Sequence, residues 1–200
     1  NISTTHTYTG ASLPQILTDQ GQERKDQTYT SIYSVLNKAA FETFWVGNQT
    51  LEKSYAPVVA TNDSVVLIDA FKSVFSFDKR KDHDLLTPLE HYLPSVSRSM
   101  LSLHMIGSHW WYEDRYTDKE RIFTPVIDSK YIPALSPEQM INSYDNTLVY
   151  LDRFLYQVIE KLKDFSGPSV MVYISDHGEQ LGENGKWLHA QAGEEAKNPA

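Results

Sequence analysis

An apolar run, Val170-Met171-Val172-Tyr173-Ile174, breaks at Ser175 into Asp176-His177-Gly178-Glu179 and then passes through Gly182-Glu183-Asn184-Gly185 to His189. A strand that empties into such a loop constrains the fold strongly. It delivers side chains to one end of a sheet, and open α/β sheets bind ligands at the carboxyl ends of their strands. Asp176 and His177 are adjacent oxygen and nitrogen donors of the kind that hold zinc.

Upstream, helix and strand patterns alternate. A helix is expected from Thr9 or Gly10 as cap, with Pro14 in its first turn and Leu13, Ile16 and Leu17 on one face. Asp19 to Gln27 reads as a polar linker, Thr28 to Ala39 as an amphipathic helix, and Phe41 to Val46 as a strand. Gly47 to Asp63 reads as a loop. Ser64 to Ile68 is a short apolar run, strand or helix by pattern. Asp78 to Asp84 is a charge run expected in solvent, and Leu85 to Leu93 looks helical. A second apolar run, from Ser99, ends in His104 and Gly107-Ser108-His109, and residues 110–135 follow as a long irregular segment. Ser136-Pro137-Glu138-Gln139 is a helix start, with Ser as cap and Gln three residues later. Met140, Tyr144, Leu148, Leu151, Leu155, Ile159 and Leu162 follow at helical spacing, and Gly167-Pro168 ends the element. This order predicts one α/β domain with a mainly parallel sheet flanked by helices.

Composition removes several classes of function. With 18 Lys and Arg against 26 Asp and Glu, the net charge is -8 and no basic patch is present, so nucleic acid is not an expected partner. Cysteine is absent, so a metal would have to be held by His, Asp, Glu or a hydroxyl oxygen. No signal peptide and no apolar run of membrane-spanning length is visible. The chain opens at Asn1 without Met and stops at Lys197-Asn198-Pro199-Ala200, soon after its richest motif, which reads as a piece of a longer protein.

In a parallel sheet the two apolar runs end at one edge, so His104, His109, Asp176, His177 and His189 can converge there on a zinc ion. His6, His83 and His91 sit in polar surroundings and read as solvated. No Gly-x-Ser-x-Gly elbow and no Walker loop is present. A hydroxyl activated by zinc remains available as a nucleophile. Thr9, at the start of a helix, reads either as an N-cap or as such a hydroxyl facing a phosphate.

The segments Ile106-Gly107-Ser108-His109, Arg115-Tyr116, Phe123-Thr124-Pro125, Tyr144 to Asp152, and Ser175 to Glu179 with Leu181 to Gly185 and Leu188-His189, taken together and in order, resemble the phosphoethanolamine transferases. These form part of the sulfatase-like branch of the alkaline phosphatase superfamily. The likeness runs from about Thr9 to His189. It implies an alkaline phosphatase/sulfatase-like fold truncated at both ends, with residues 1–200 a partial periplasmic catalytic domain. It further implies that Thr9, five residues before Pro14, is the nucleophile, with Thr7 the fallback. Thr9, Asp176 and His177 would be ligands of Zn2+, completed by a Glu upstream of this chain. His109 and His189, and less directly His104, would bind the substrate phosphate, or a second zinc in the case of His109 and His189. Glu179 lies in the motif but is not expected to be a ligand.

The implied reaction moves phosphoethanolamine from phosphatidylethanolamine to lipopolysaccharide or another envelope glycan through phosphothreonine. The implied place is the bacterial inner membrane, with the domain in the periplasm and a membrane region upstream. Trp110-Trp111 stands where many members have Gly-Pro, which bears on acceptor specificity and not on the metal site; the absent cysteines depart from the disulfide-bearing lipid A enzymes and point to a different branch, such as one acting on another glycan or core sugar. Trp110, Trp111 and Tyr112 read as packed filler, an acceptor groove or a bilayer contact. The alternatives are a sulfatase or phosphodiesterase of the same superfamily, or a non-catalytic binding domain. With one ligand missing, the 200 residues alone are expected to bind zinc weakly and to show little activity.

Overall fold

Backbone pairing places β1 (Glu42–Gly47) between β2 (Ser64–Leu67) and β3 (Ser99–His104) in a sheet whose neighbouring strands are parallel. The computed structural model describes residues 4, 6–20, 29–69, 80–92 and 98–189. Gly21 to Gln27 of the linker, Asp78 and Lys79 of the charge run, Leu93 and the Lys197–Ala200 end lie outside the described residues. The register runs Gly47 opposite both Leu67 and His104, so the three strands end level. That shared edge faces the candidate site.

β1 is aromatic and β-branched, which suits a pleated, buried strand. Its alternation divides the core. Trp45 packs on one face with Leu13, Tyr33, Tyr55, Val58 and Val59. These come from or stand beside α1 (Thr9–Leu17), α2 (Ile32–Lys38) and α3 (Ala56–Val59). Val46 packs on the other face with Leu85, Leu89, Phe154 and Val158, from the turn before α4 (Leu86–Tyr92), from α4 itself and from α5 (Pro137–Lys163). Helices therefore cover both faces of the sheet, as the alternation predicted.

Some details differ from the sequence reading. Tyr8, not Thr9 or Gly10, occupies the N-cap of α1, and Thr9 is already helical. α3 interrupts the stretch expected to be loop; Pro57 starts it and Val58 and Val59 bury it. Asp82, in the charge run expected in solvent, is 2% exposed. The apolar run Val170–Ile174 is not a strand. Apolar character favours a strand only where a ladder partner exists, and no described strand pairs with it. Val170 is 90% exposed and Val172 74%, while Met171 packs against the cluster around Val46 and Phe154.

The start of α5 forms as predicted: Ser136 Oγ accepts from Gln139 N, and Gln139 Oε1 accepts from Ser136 N. Its buried face is rotated from the predicted one. Met140, Ser143, Asn146, Thr147, Tyr150, Phe154 and Val158 are buried, while Leu148 and Ile159 are exposed. The buried polar residues explain the shift, because they hold the long irregular segment. Asn146 Oδ1 accepts from Ile122 N and Phe123 N at 3.0 and 2.9 Å, and Asn146 Nδ2 donates to Phe123 O at 3.0 Å. Ser143 Oγ accepts from Ile127 N, Asn142 donates to Pro125 O, and Gln139 to Val126 O. Backbone groups of the segment that find no partner in a sheet or helix are thus satisfied by side chains of α5. No described helix is long and apolar enough to cross a membrane.

Candidate active site

Four parts of the chain meet at the carboxyl edge of the sheet: the first turn of α1, the turn after β3, the Asp176–Glu179 segment, and a small hairpin. The hairpin pairs β4 (Gln180–Leu181) with β5 (Trp187–Leu188), Gln180 opposite Leu188. That register sets the residues just outside it, Glu179 and His189, side by side. Gly182 makes the reversal possible. Its φ is +107°, and a Cβ there would stand 3.0 Å from the Trp187 ring.

Thr9 Oγ1 lies 3.4 Å from His177 Nε2. Asp176 Oδ2 lies 3.8 Å from the same nitrogen. The His177 ring is 4.5 Å from the His189 ring, centroid to centroid, and His189 is 5.5 Å from His109. Thr9, Asp176, His177, His189 and His109 therefore form one continuous cluster. His104 stands apart from it as an aromatic-core residue. Its ring packs on Trp45 at 4.9 Å and on Tyr55 at 5.8 Å, and its Nδ1 has no partner. Burial lowers its pKa to about 4, against the opposing pull of the Asp176 charge, so it is neutral.

All three clustered imidazoles are oriented the same way. His177 Nδ1 donates to Gly178 O at 2.9 Å, His109 Nδ1 to Trp110 O at 2.6 Å, and His189 Nδ1 to Glu179 Oε2 at 2.7 Å. Carbonyls and carboxylates only accept, so Nδ1 carries the proton in each ring and Nε2 is left for a metal, a phosphate or a proton. Glu179 is held in turn by Tyr112, whose buried hydroxyl donates to Oε1 at 2.6 Å.

Electrostatics separate the two outer histidines. Burial pushes the His109 pKa down, and the neighbouring His189 and Arg115 push the same way. Burial also lowers His189, but its bond to Glu179 and the charges of Glu179 and Asp176 outweigh that and raise it. A neutral and a readily protonated imidazole side by side form an acid–base pair. Burial and the Glu179 charge raise the Tyr112 pKa far above its ordinary value, so Tyr112 stays a hydrogen-bond donor.

Two overlapping sets of groups could hold a metal. His177, Glu179 and His189 offer ligand atoms within 4.8 Å of one another. Thr9, Asp176 and His177 form the other set. The second fits better, because both Glu179 oxygens are already engaged by Tyr112 and His189. Ligands of a tetrahedral zinc stand about 3.3–3.5 Å apart, close to the 3.4 and 3.8 Å found around His177 Nε2. The oxygen and imidazole donors suit zinc.

The sequence offered Tyr112 as packed filler, an acceptor groove or a bilayer contact, not as a partner of Glu179, and it set Glu179 aside; the structure buries Tyr112 and joins the two. The Gly182, Asn184 and Gly185 turn was the signal for Glu179, since a hairpin there folds His189 back onto it. For Tyr112 no local signal exists. Trp110 and Trp111 pack, partly buried, against Tyr112, Ile127 and Met140. His6 and His83 are not simply solvated: His6 bonds Gln15, and the His83 ring lies 4.7 Å from that of Tyr150. His91 is exposed, as expected.

The Sulfatase family model matches residues 1–199. The chain belongs to the Sulfatase family. This Sulfatase chain is 32% identical over 193 residues to phosphoethanolamine transferase EptA of Helicobacter pylori, covering 94% of itself and 36% of that protein. It superposes on the C-terminal periplasmic domain of phosphoethanolamine transferase EptC from Campylobacter jejuni with a TM-score of 0.76 at 29% identity, covering 100% of this chain and 62% of that one. The soluble domain of lipooligosaccharide phosphoethanolamine transferase A from Neisseria meningitidis gives a TM-score of 0.75 at 30% identity, covering 94% and 58%. The Sulfatase chain thus spans about a third of the length of the EptA relative.

Proposed function

We propose that this chain carries most of the catalytic residues of a zinc-dependent phosphoethanolamine transferase, with phosphatidylethanolamine as donor and a lipopolysaccharide or other envelope glycan as acceptor. The observation that carries the reading is the 3.4 Å approach of Thr9 Oγ1 to His177 Nε2, beside Asp176. Zinc, bound through Thr9, Asp176 and His177, would lower the pKa of the Thr9 hydroxyl and so supply a nucleophile at neutral pH.

Thr9 Oγ1 attacks the donor phosphorus, and the bond from phosphorus to diacylglycerol breaks. His189, whose raised pKa favours the protonated form before the step, gives its Nε2 proton to the departing oxygen. His109, with Nε2 free, lies beside it on the phosphoryl side. In the second half the acceptor hydroxyl passes its proton to His189 and attacks the phosphorus of phospho-Thr9; the bond from phosphorus to Thr9 Oγ1 breaks, which frees Thr9, and the acceptor leaves carrying phosphoethanolamine. Chemistry of this kind is mostly positioning and charge stabilisation, which suits oriented imidazoles. The site would face the periplasm, with the protein anchored in the inner membrane.

The Sulfatase family also contains hydrolases by name, so water as acceptor is the competing outcome. Donor lipid labelled in its headgroup separates the two. Transfer moves label into glycan lipid and leaves little free phosphoethanolamine, whereas label released mainly as free phosphoethanolamine in the presence of envelope lipids would replace this reading with hydrolysis.

A further inference from the structure

The turn that presents His109 is gripped at every residue from 106 to 109. Asp82 Oδ1 accepts from Ile106 N at 2.9 Å and Oδ2 accepts from Gly107 N at 2.9 Å. Asn48 Nδ2 donates to the same Asp82 Oδ1, also at 2.9 Å, and Asn48 itself follows β1 directly. Ser108 Oγ meets Thr147 Oγ1 of α5 at 2.6 Å. Arg115, buried, donates Nε to His109 O at 2.8 Å. Gly107 has a φ of +56°, and that reversal turns the backbone so that both successive amides reach one carboxylate.

We infer that Asp82 is a positioning residue for His109: its buried carboxylate, with Thr147 and Arg115, locks the 106–109 turn so that His109 Nε2 faces the reacting phosphoryl group. A buried carboxylate without its donors is costly, so a charged group at this depth is retained only where all its bonds are made. Here they are made to the two amides that begin the turn and to Asn48, the residue that follows β1. None of these partners belongs to the cluster of Thr9, Asp176, His177, His189 and His109. The effect of Asp82 on the reaction must therefore pass through the turn. Displacing a catalytic group by about 1 Å costs on the order of 10²-fold in rate. This inference rests on the proposed role of His109.

The test is a double-mutant cycle in the intact protein, with headgroup-labelled phosphatidylethanolamine as probe. In Asp82→Asn one carboxylate oxygen becomes an amide that faces a backbone N–H, so a turn amide loses its acceptor. The expected result is a fall in kcat of about 10²-fold with KM for the donor changed less than about 3-fold. In a His109→Ala background the same substitution should cost less than about 3-fold, because the group it positions is gone. Thr147→Val keeps the side-chain shape and removes the Ser108 contact together with the local bond to Tyr144 O within α5. It serves as a second arm, with a loss of about 10-fold that likewise vanishes in His109→Ala, and it decides the matter alone if Asp82→Asn does not fold. Equal losses in both backgrounds would overturn the positioning role while leaving the proposed function standing. An unchanged rate in His109→Ala by itself would remove the role of His109, and this inference with it.

Discussion

Thr9→Ala lowers phosphoethanolamine transfer by at least about 10⁴-fold, the scale on which loss of a nucleophile acts. The fold should survive the change. Thr9 is the first residue of α1, the N-cap is Tyr8, and Ala is the best helix former. Among the described residues its hydroxyl meets His177, and the core residue of that helix is Leu13, a turn further on. An unchanged melting temperature with lost activity is therefore the expected pair of results. Thr9→Ser, which keeps the oxygen, should retain a measurable fraction of the rate. Thr7, the alternative read from the sequence, precedes the helix, and Thr7→Ala should leave most activity in place. If Thr9→Ala retained transfer and Thr7→Ala lost it, the nucleophile would have to be reassigned.

Glu179→Gln should cost about 10²-fold, the usual scale for removing a group that orients a reacting or ligating histidine. The amide can still accept from His189 Nδ1, so geometry is largely kept and charge is lost. Without the negative charge, burial dominates and the His189 pKa falls. If protonated His189 serves the leaving group, the alkaline limb of kcat/KM moves to lower pH in the variant. Stability carries the same sign. A histidine whose pKa is raised by folding contributes stability that is fully present below its unfolded pKa and is lost as pH rises through the folded value. Wild-type protein should thus lose this increment across that window, and Glu179→Gln should lack it at low pH. A pH–stability difference that grows as pH rises would contradict the assignment. Tyr112→Phe, which removes only the second bond to Glu179, should give a smaller loss in the same direction.

Much of this architecture was legible from local chemistry. Ser136 and Gln139 announce the start of α5 because a capping box is written within four residues, and Phe41–Val46 announces β1 because aromatic and β-branched residues suit a half-buried pleat. The level strand ends follow from the alternation of helices with strands. What stayed hidden depends on partners far along the chain. The stripe through Leu148 and Ile159 has helical spacing, but so does the neighbouring stripe through Ser143, Asn146 and Thr147. The backbone of residues 122–127, together with Ser108, makes the polar stripe the buried one. Asp82 sits in a run of charges that looks solvated, and its partners are amides more than twenty residues later. Val170–Ile174 has the composition of a strand, yet a strand needs a hydrogen-bonded neighbour, which composition does not supply. At the site, Asp176 and His177 are visible as an adjacent pair. The joining of Glu179 to His189 and Tyr112 required the hairpin and the long segment to be folded first.

The proposed transfer passes through a covalent intermediate on Thr9. The most direct measurement is mass spectrometry of the zinc-loaded intact protein after brief exposure to phosphatidylethanolamine without acceptor. One phosphoethanolamine group is expected on the peptide containing Thr9, absent from Thr9→Ala and discharged when acceptor lipid is added. Rapid transfer with no adduct in the trapped protein, or an adduct on a residue other than Thr9, would contradict it.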